Sequence, residues 1–150
     1  DLVPFLLFSL ATVVVLTVGI TIITAEMHER SHWVIAHLWT ESVSIARWKG
    51  IVAKSVEFTQ PRELPPWGIR LAGVAPALMG IPIGSIIFFQ TEMSFAFRAL
   101  STLPFWAAAI LSPSDMLAIT FPDRFQEFAM ANKSIGHRET LRILLTEIRR

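Results

Sequence analysis

The sequence predicts an all-α membrane protein with about three transmembrane helices, a small β-hairpin after the first, and one or two amphipathic helices at the C-terminal end. Three observations carry this expectation. The chain is 53% apolar with a positive mean hydropathy, richer than an ordinary soluble domain. No charged residue occurs between Leu2 and Ala25. Outside that run the basic residues gather between the apolar stretches, the pattern of loops flanking membrane spans. The 150 residues are expected to form a single integral membrane domain.

The first run is long enough to cross a hydrocarbon core of roughly 30 Å at about 1.5 Å per residue, and too long for the core of a signal peptide. Apolar character resumes after a polar cluster, at Trp33, Val34, Ile35 and Ala36, so one span and helix is expected over about 2–36. Over about 42–60, Val43, Ile45, Val52, Val56 and Phe58 alternate with polar neighbours around Trp48-Lys49-Gly50, which predicts two strands and a turn. The proline-dense link 60–66 ends that hairpin.

A second uncharged run covers about 71–89 and is interrupted by Gly73, Pro76, Gly80, Pro82 and Gly84. It predicts a kinked or locally unwound span in which Gly80 and Gly84 allow close helix packing. A third apolar stretch, about 93–111, contains Arg98, which inside hydrocarbon needs an interface or a partner such as Glu92. In the C-terminal segment, 120–150, Leu141, Leu144, Leu145 and Ile148 form a stripe beside Arg138, Arg142, Arg149 and Arg150, as expected of an amphipathic segment on the membrane or the bundle.

Arg47, Lys49, Lys54, Arg62 and Arg70 fall between the first and second spans, and a second basic group follows the third. The positive-inside rule then places the N-terminus outside and both basic segments in the cytoplasm. The formal net charge of +1 supplies no case for a nucleic-acid partner, so the expected surroundings are the lipid bilayer. With no cysteine, any metal must be held by imidazole and carboxylate.

Those ligand types are present. His28-Glu29-Arg30-Ser31-His32 is an HExxH motif at the end of the first span. Histidines four apart on a helix lie about 40° apart around its axis, so His28 and His32 can reach one ion. Glu29 lies about 100° round from His28, off the ligand row, and suits a carboxylate that takes a proton from zinc-bound water. A third ligand is required. Asp115 is the acidic residue that topology brings to the same membrane side, while Asp123, which also suits the first turn of a helix, is the competitor. The expected cofactor is one zinc ion. Thr17, Thr21 and Thr24 share the face of His28 and either line a polar seam or bond their own backbone. His37 is expected at the interface, and His137 in the basic tail is a lesser candidate.

These residues resemble the site-2 proteases, intramembrane zinc metalloproteases that cleave membrane-anchored proteins. The likeness rests on His28 to Ala36 at a span end, the hairpin after it, the Gly/Pro-interrupted second span, and Pro113-Ser114-Asp115 after the third. It implies His28, His32 and Asp115 as zinc ligands, Glu29 as general base, and a hairpin edge to which an unwound substrate segment adds as a strand. Ser31 stands where the family commonly has glycine, Met116 where a glycine usually follows the aspartate, and the asparagine often found shortly before that aspartate is missing. The expected activity is hydrolysis of peptide bonds in a membrane-anchored substrate, toward the cytoplasmic side. Two rivals stand beside it: a non-catalytic membrane-complex subunit or transport component with a structural His/Glu cluster, and a membrane metal-dependent hydrolase of a non-peptide substrate.

Overall fold

The computed structural model describes residues 2–58, 64–90, 92–130 and 137–149. Helix α1, Leu2–His37, runs unbroken from the uncharged stretch through the histidine motif. Its 36 residues make a rod about 54 Å long, well beyond a bilayer core. Leu2, Phe8 and Val15 are each more than two-thirds exposed, and burial begins only toward the C-terminal end, at Ser31, His32 and Ala36.

The hairpin follows as expected. Strands β1, Val43–Trp48, and β2, Val52–Phe58, pair antiparallel from Val43 opposite Phe58 to Trp48 opposite Val52. Ile51 N–H closes the turn on the Trp48 carbonyl. Lys49 and Gly50 both take positive φ, 50° and 75°, which is why a glycine sits in this turn. A register shift between Ala46 and Arg47 marks a bulge. The hairpin stops at Phe58, and most of the proline-dense link lies outside the described residues.

Helix α2, Pro66–Phe88, starts five residues before the uncharged run, because Pro66 suits the first helical position and Arg70, just past the first turn, is exposed. It stays helical through Pro76 and Pro82 rather than unwinding, since its neighbours pack it closely. A Cβ on Gly80 would lie 2.5 Å from the Phe105 carbonyl oxygen, and one on Gly84 would lie 2.5 Å from the Trp106 ring. The two glycines are therefore the surface on which the next helix rests.

That helix is shorter than the apolar stretch suggests. α3, Phe95–Ala108, begins at Ser94, whose Oγ accepts from Phe97 N–H, and α4, Pro113–Thr120, continues after a break at a 52° bend. Alone, α3 spans about 21 Å, too little for a bilayer core. Among the described residues, α1 and α2 are thus the two helices long and apolar enough to cross a membrane, and α3 qualifies only jointly with α4. Arg98 donates to the Phe88 carbonyl and stands over the Phe88 ring rather than pairing with Glu92. Two amphipathic helices follow among the described residues, α5, Pro122–Met130, and α6, His137–Ile148. α6 packs on α4 and buries Thr140 and Leu144, leaving Leu141, Leu145 and Ile148 exposed.

The core lies at the C-terminal end of α1. Ala36, Val43, Leu64, Ile69 and Ala118 are buried together, with Trp33, Trp39, Val56 and Phe125 packed against them. Trp33 donates from its indole N–H to the Val43 carbonyl, which ties the hairpin to α1. Helices α1, α2 and α4 and the hairpin converge here, immediately beside the histidine motif.

Candidate metal centre

The end of α1 presents two faces. Glu26, Glu29 and Trp33, at spacings of three and four, share the hairpin side, and His28 and His32 share the side toward α2, α3 and α4. This division follows from the helical period alone, because Glu29 is about 100° round from His28 and about 60° from His32.

On the bundle side three groups converge. His32 Nε2 lies 3.1 Å from His28 Nε2 and 3.1 Å from one Asp115 oxygen, while His28 Nε2 lies 3.3 Å from the other. His28 and His32 Nδ1 point away from this meeting, 2.8 Å from the Ala108 carbonyl and 2.7 Å from the Ala72 carbonyl. A carbonyl only accepts, so both Nδ1 atoms carry hydrogen and donate. In the neutral rings Nε2 is then a bare lone pair. Two such lone pairs and a carboxylate facing one another at these distances repel unless a proton or a metal cation lies among them. Ligands about 2.0–2.1 Å from a tetrahedral ion stand about 3.3 Å apart, close to the three separations seen.

Asp115 is aimed by its own helix end. Ser112 is the N-cap of α4; its Oγ accepts from Asp115 N–H at 3.3 Å, and its own N–H donates to the Asp115 carboxylate at 2.6 Å. This reciprocal capping box fixes the carboxylate toward the histidines. Its side chain is only 8% exposed, so the charge depends on these partners. Gly73 of α2 gives room for this end of α4, since a Cβ there would stand 3.1 Å from the Asp115 carbonyl oxygen.

The hairpin side is held by charge. Arg47, just after the bulge, donates from two nitrogens to the two oxygens of Glu26, each at 2.7 Å, and Arg30 Nε donates to Glu26 at 2.6 Å. The hydrogen bonds that Arg47 donates to Glu26 raise its pKa above the ordinary value. A bidentate fork holds orientation as well as distance. Glu29, half-buried, stands between the histidine row and the hairpin side of α1.

His28, His32 and Asp115 therefore come together as a group that could hold a metal ion. Asp123 lies in the first turn of α5 and is not in that group. His37 stacks on Trp33 with ring centroids 4.7 Å apart, away from the triad, and the His137 side chain lies outside the described residues. Thr17 and Thr21 bond the Val13 and Thr17 carbonyls, so the hydroxyl row is mostly self-satisfied, while Thr24 Oγ1 is buried without a hydrogen bond.

Sequence reasoning passed over Ser112, the Glu26–Arg47 fork and the two carbonyls. Ser112-Pro113-Ser114-Asp115 carries the serine-to-acid spacing of a capping box and so was a usable signal. The others had none. No protein-family model, no curated protein and no solved structure matches the chain.

Proposed function

We propose that the chain is an intramembrane zinc metalloprotease that hydrolyses peptide bonds of membrane-anchored proteins. The observation that carries this is the meeting of His28 Nε2, His32 Nε2 and Asp115, three acceptors in need of a cation, on a helix whose next residue round is Glu29. Three N/O ligands leave one position open, the stoichiometry of a catalytic rather than a structural zinc site. Held there, zinc would polarise a substrate carbonyl and acidify water.

The chain's own residues supply the rest. Glu29 is the general base: its carboxylate takes a proton from the attacking water and returns it to the leaving amine. The hairpin, fixed to α1 by Glu26 and Arg47, borders the site with strand backbone, suited to a segment whose helix has opened. Opening is required, since a helix buries its scissile carbonyl in hydrogen bonds.

In this proposal α1 and α2 cross the bilayer and the bent pair α3–α4 makes a third crossing, with the N-terminus outside. The triad lies just past the uncharged run of α1, near the cytoplasmic face, where water can enter.

Glu29→Gln tests the reading. In purified chain supplied with a detergent-solubilised membrane-anchored peptide, proteolysis should fall by about 10²–10⁴-fold while one zinc per chain stays bound. Unchanged proteolysis would overturn it, and turnover of a lipid or prenyl substrate with none of peptide would move the assignment to a different hydrolase.

A further inference from the structure

We infer that Pro76 is a positioning residue of the metal centre: by withholding a backbone N–H within α2, it leaves the Ala72 carbonyl free to hold the His32 imidazole with Nε2 toward Asp115. The metal-binding part of this inference rests on the proposed function above.

In an α-helix the carbonyl of residue 72 accepts from the N–H of residue 76. Residue 76 is proline, inside α2, and has no N–H to give. The Ala72 carbonyl is instead 2.7 Å from His32 Nδ1. Ala72 is 6% exposed and Pro76 less than 2%, so bulk water is poorly placed to serve either the freed carbonyl or the imidazole N–H. Each satisfies the other, and two groups that would be costly if buried alone are paired. The proline ring also crowds the carbonyl four residues back and turns it off the helix axis, toward a neighbour.

The second histidine follows the same logic by another route. Its acceptor, the Ala108 carbonyl, belongs to the last residue of α3, where helical donors run out. Ser112 N–H, which a longer helix would direct to that carbonyl, goes to Asp115 instead. Both imidazoles are thus oriented by carbonyls that the helices leave without a donor, one through a proline and one through a helix end. Pro82 is the internal control: it frees the carbonyl of Leu78, whose side chain is 54% exposed, and no described side chain donates to it.

The test uses the full chain in detergent, with ¹⁵N-labelled histidine and metal removed by chelator. In the wild type, ¹⁵N shifts should report His32 as a single tautomer, protonated at Nδ1. Pro76→Ala supplies the missing N–H, and His32 should become a mixture of tautomers, with zinc affinity in a competition titration lowered about 10–100-fold. Pro82→Ala should leave both readouts as in wild type.

Replacing Pro76 by the α-hydroxy analogue of alanine, which lacks both the ring and the N–H, should also preserve them. This arm decides the question even if Pro76→Ala does not fold. Unchanged tautomer and affinity in Pro76→Ala, equal losses in Pro82→Ala, or losses with the α-hydroxy analogue would each overturn the inference. A wild type that binds no zinc would sink the proposed function, while the metal-free tautomer comparison still decides the role of Pro76.

Discussion

The two ends of α1 are one unbroken helix in two different settings. Its first two-thirds carry apolar side chains on every face and leave them largely exposed, with little cover from a neighbour among the described residues. Its last third is divided by the helical period into a histidine face and a Glu/Trp face, each met by a different part of the molecule. A helix that is apolar all round asks only for an apolar solvent. A helix with two chemically distinct faces asks for named partners at fixed distances. The first two-thirds can therefore tolerate exchange among apolar residues, and the last third cannot.

His32→Ala should have the largest effect on this contrast. Bound metal should fall from one equivalent to none, by elemental analysis after gel filtration, whereas Thr17→Ala on the bare half should leave it intact; retained metal in the first would break the distinction. Val14→Arg comes next, at about 2.5–3.5 kcal/mol near the middle of the uncharged run, read as the inserted fraction in a glycosylation-mapping assay. Arginine at Val34, beyond that run and 41% exposed, should cost little.

Gly80→Val should destabilise by about 1–3 kcal/mol in thermal unfolding in detergent, because the new side chain meets the Phe105 carbonyl. Ser112→Ala should cost about 1 kcal/mol, the loss of one cap, while the backbone N–H of residue 112 still holds Asp115. A loss no larger than at an exposed serine would separate the cap from the site.

Much of this was written in local patterns. The uncharged run, the 49–50 turn and the His28/Glu29/His32 spacing each fall within a few residues, and the structure has a long helix, a hairpin and two adjacent imidazoles where they stand. Asp115 lies with the histidines, while the third apolar stretch holds only the first of two helices meeting at 52°, α3, and α4 lies beyond it. Pro113 fixed where the second begins, and nothing in the apolar run marked its end at Ala108. The Ala72 and Ala108 carbonyls were invisible because every residue has one, and only packing selects which is used. The Glu26–Arg47 fork was hidden likewise, since its residues belong to different elements.

Through its hydrogen bonds and ion pairs the triad joins four helices: His28 links α1 to α3, His32 links α1 to α2, and Asp115 brings α4 to both. An ion seated there is a cross-link in the tertiary structure as well as a reagent. Loading and folding then become one thermodynamic cycle, in which free metal at a thousand times its dissociation constant adds about 4 kcal/mol to the folded state. A chelator that silences the chain would also loosen it, and a cell short of the ion would be left with the bundle itself less firmly assembled.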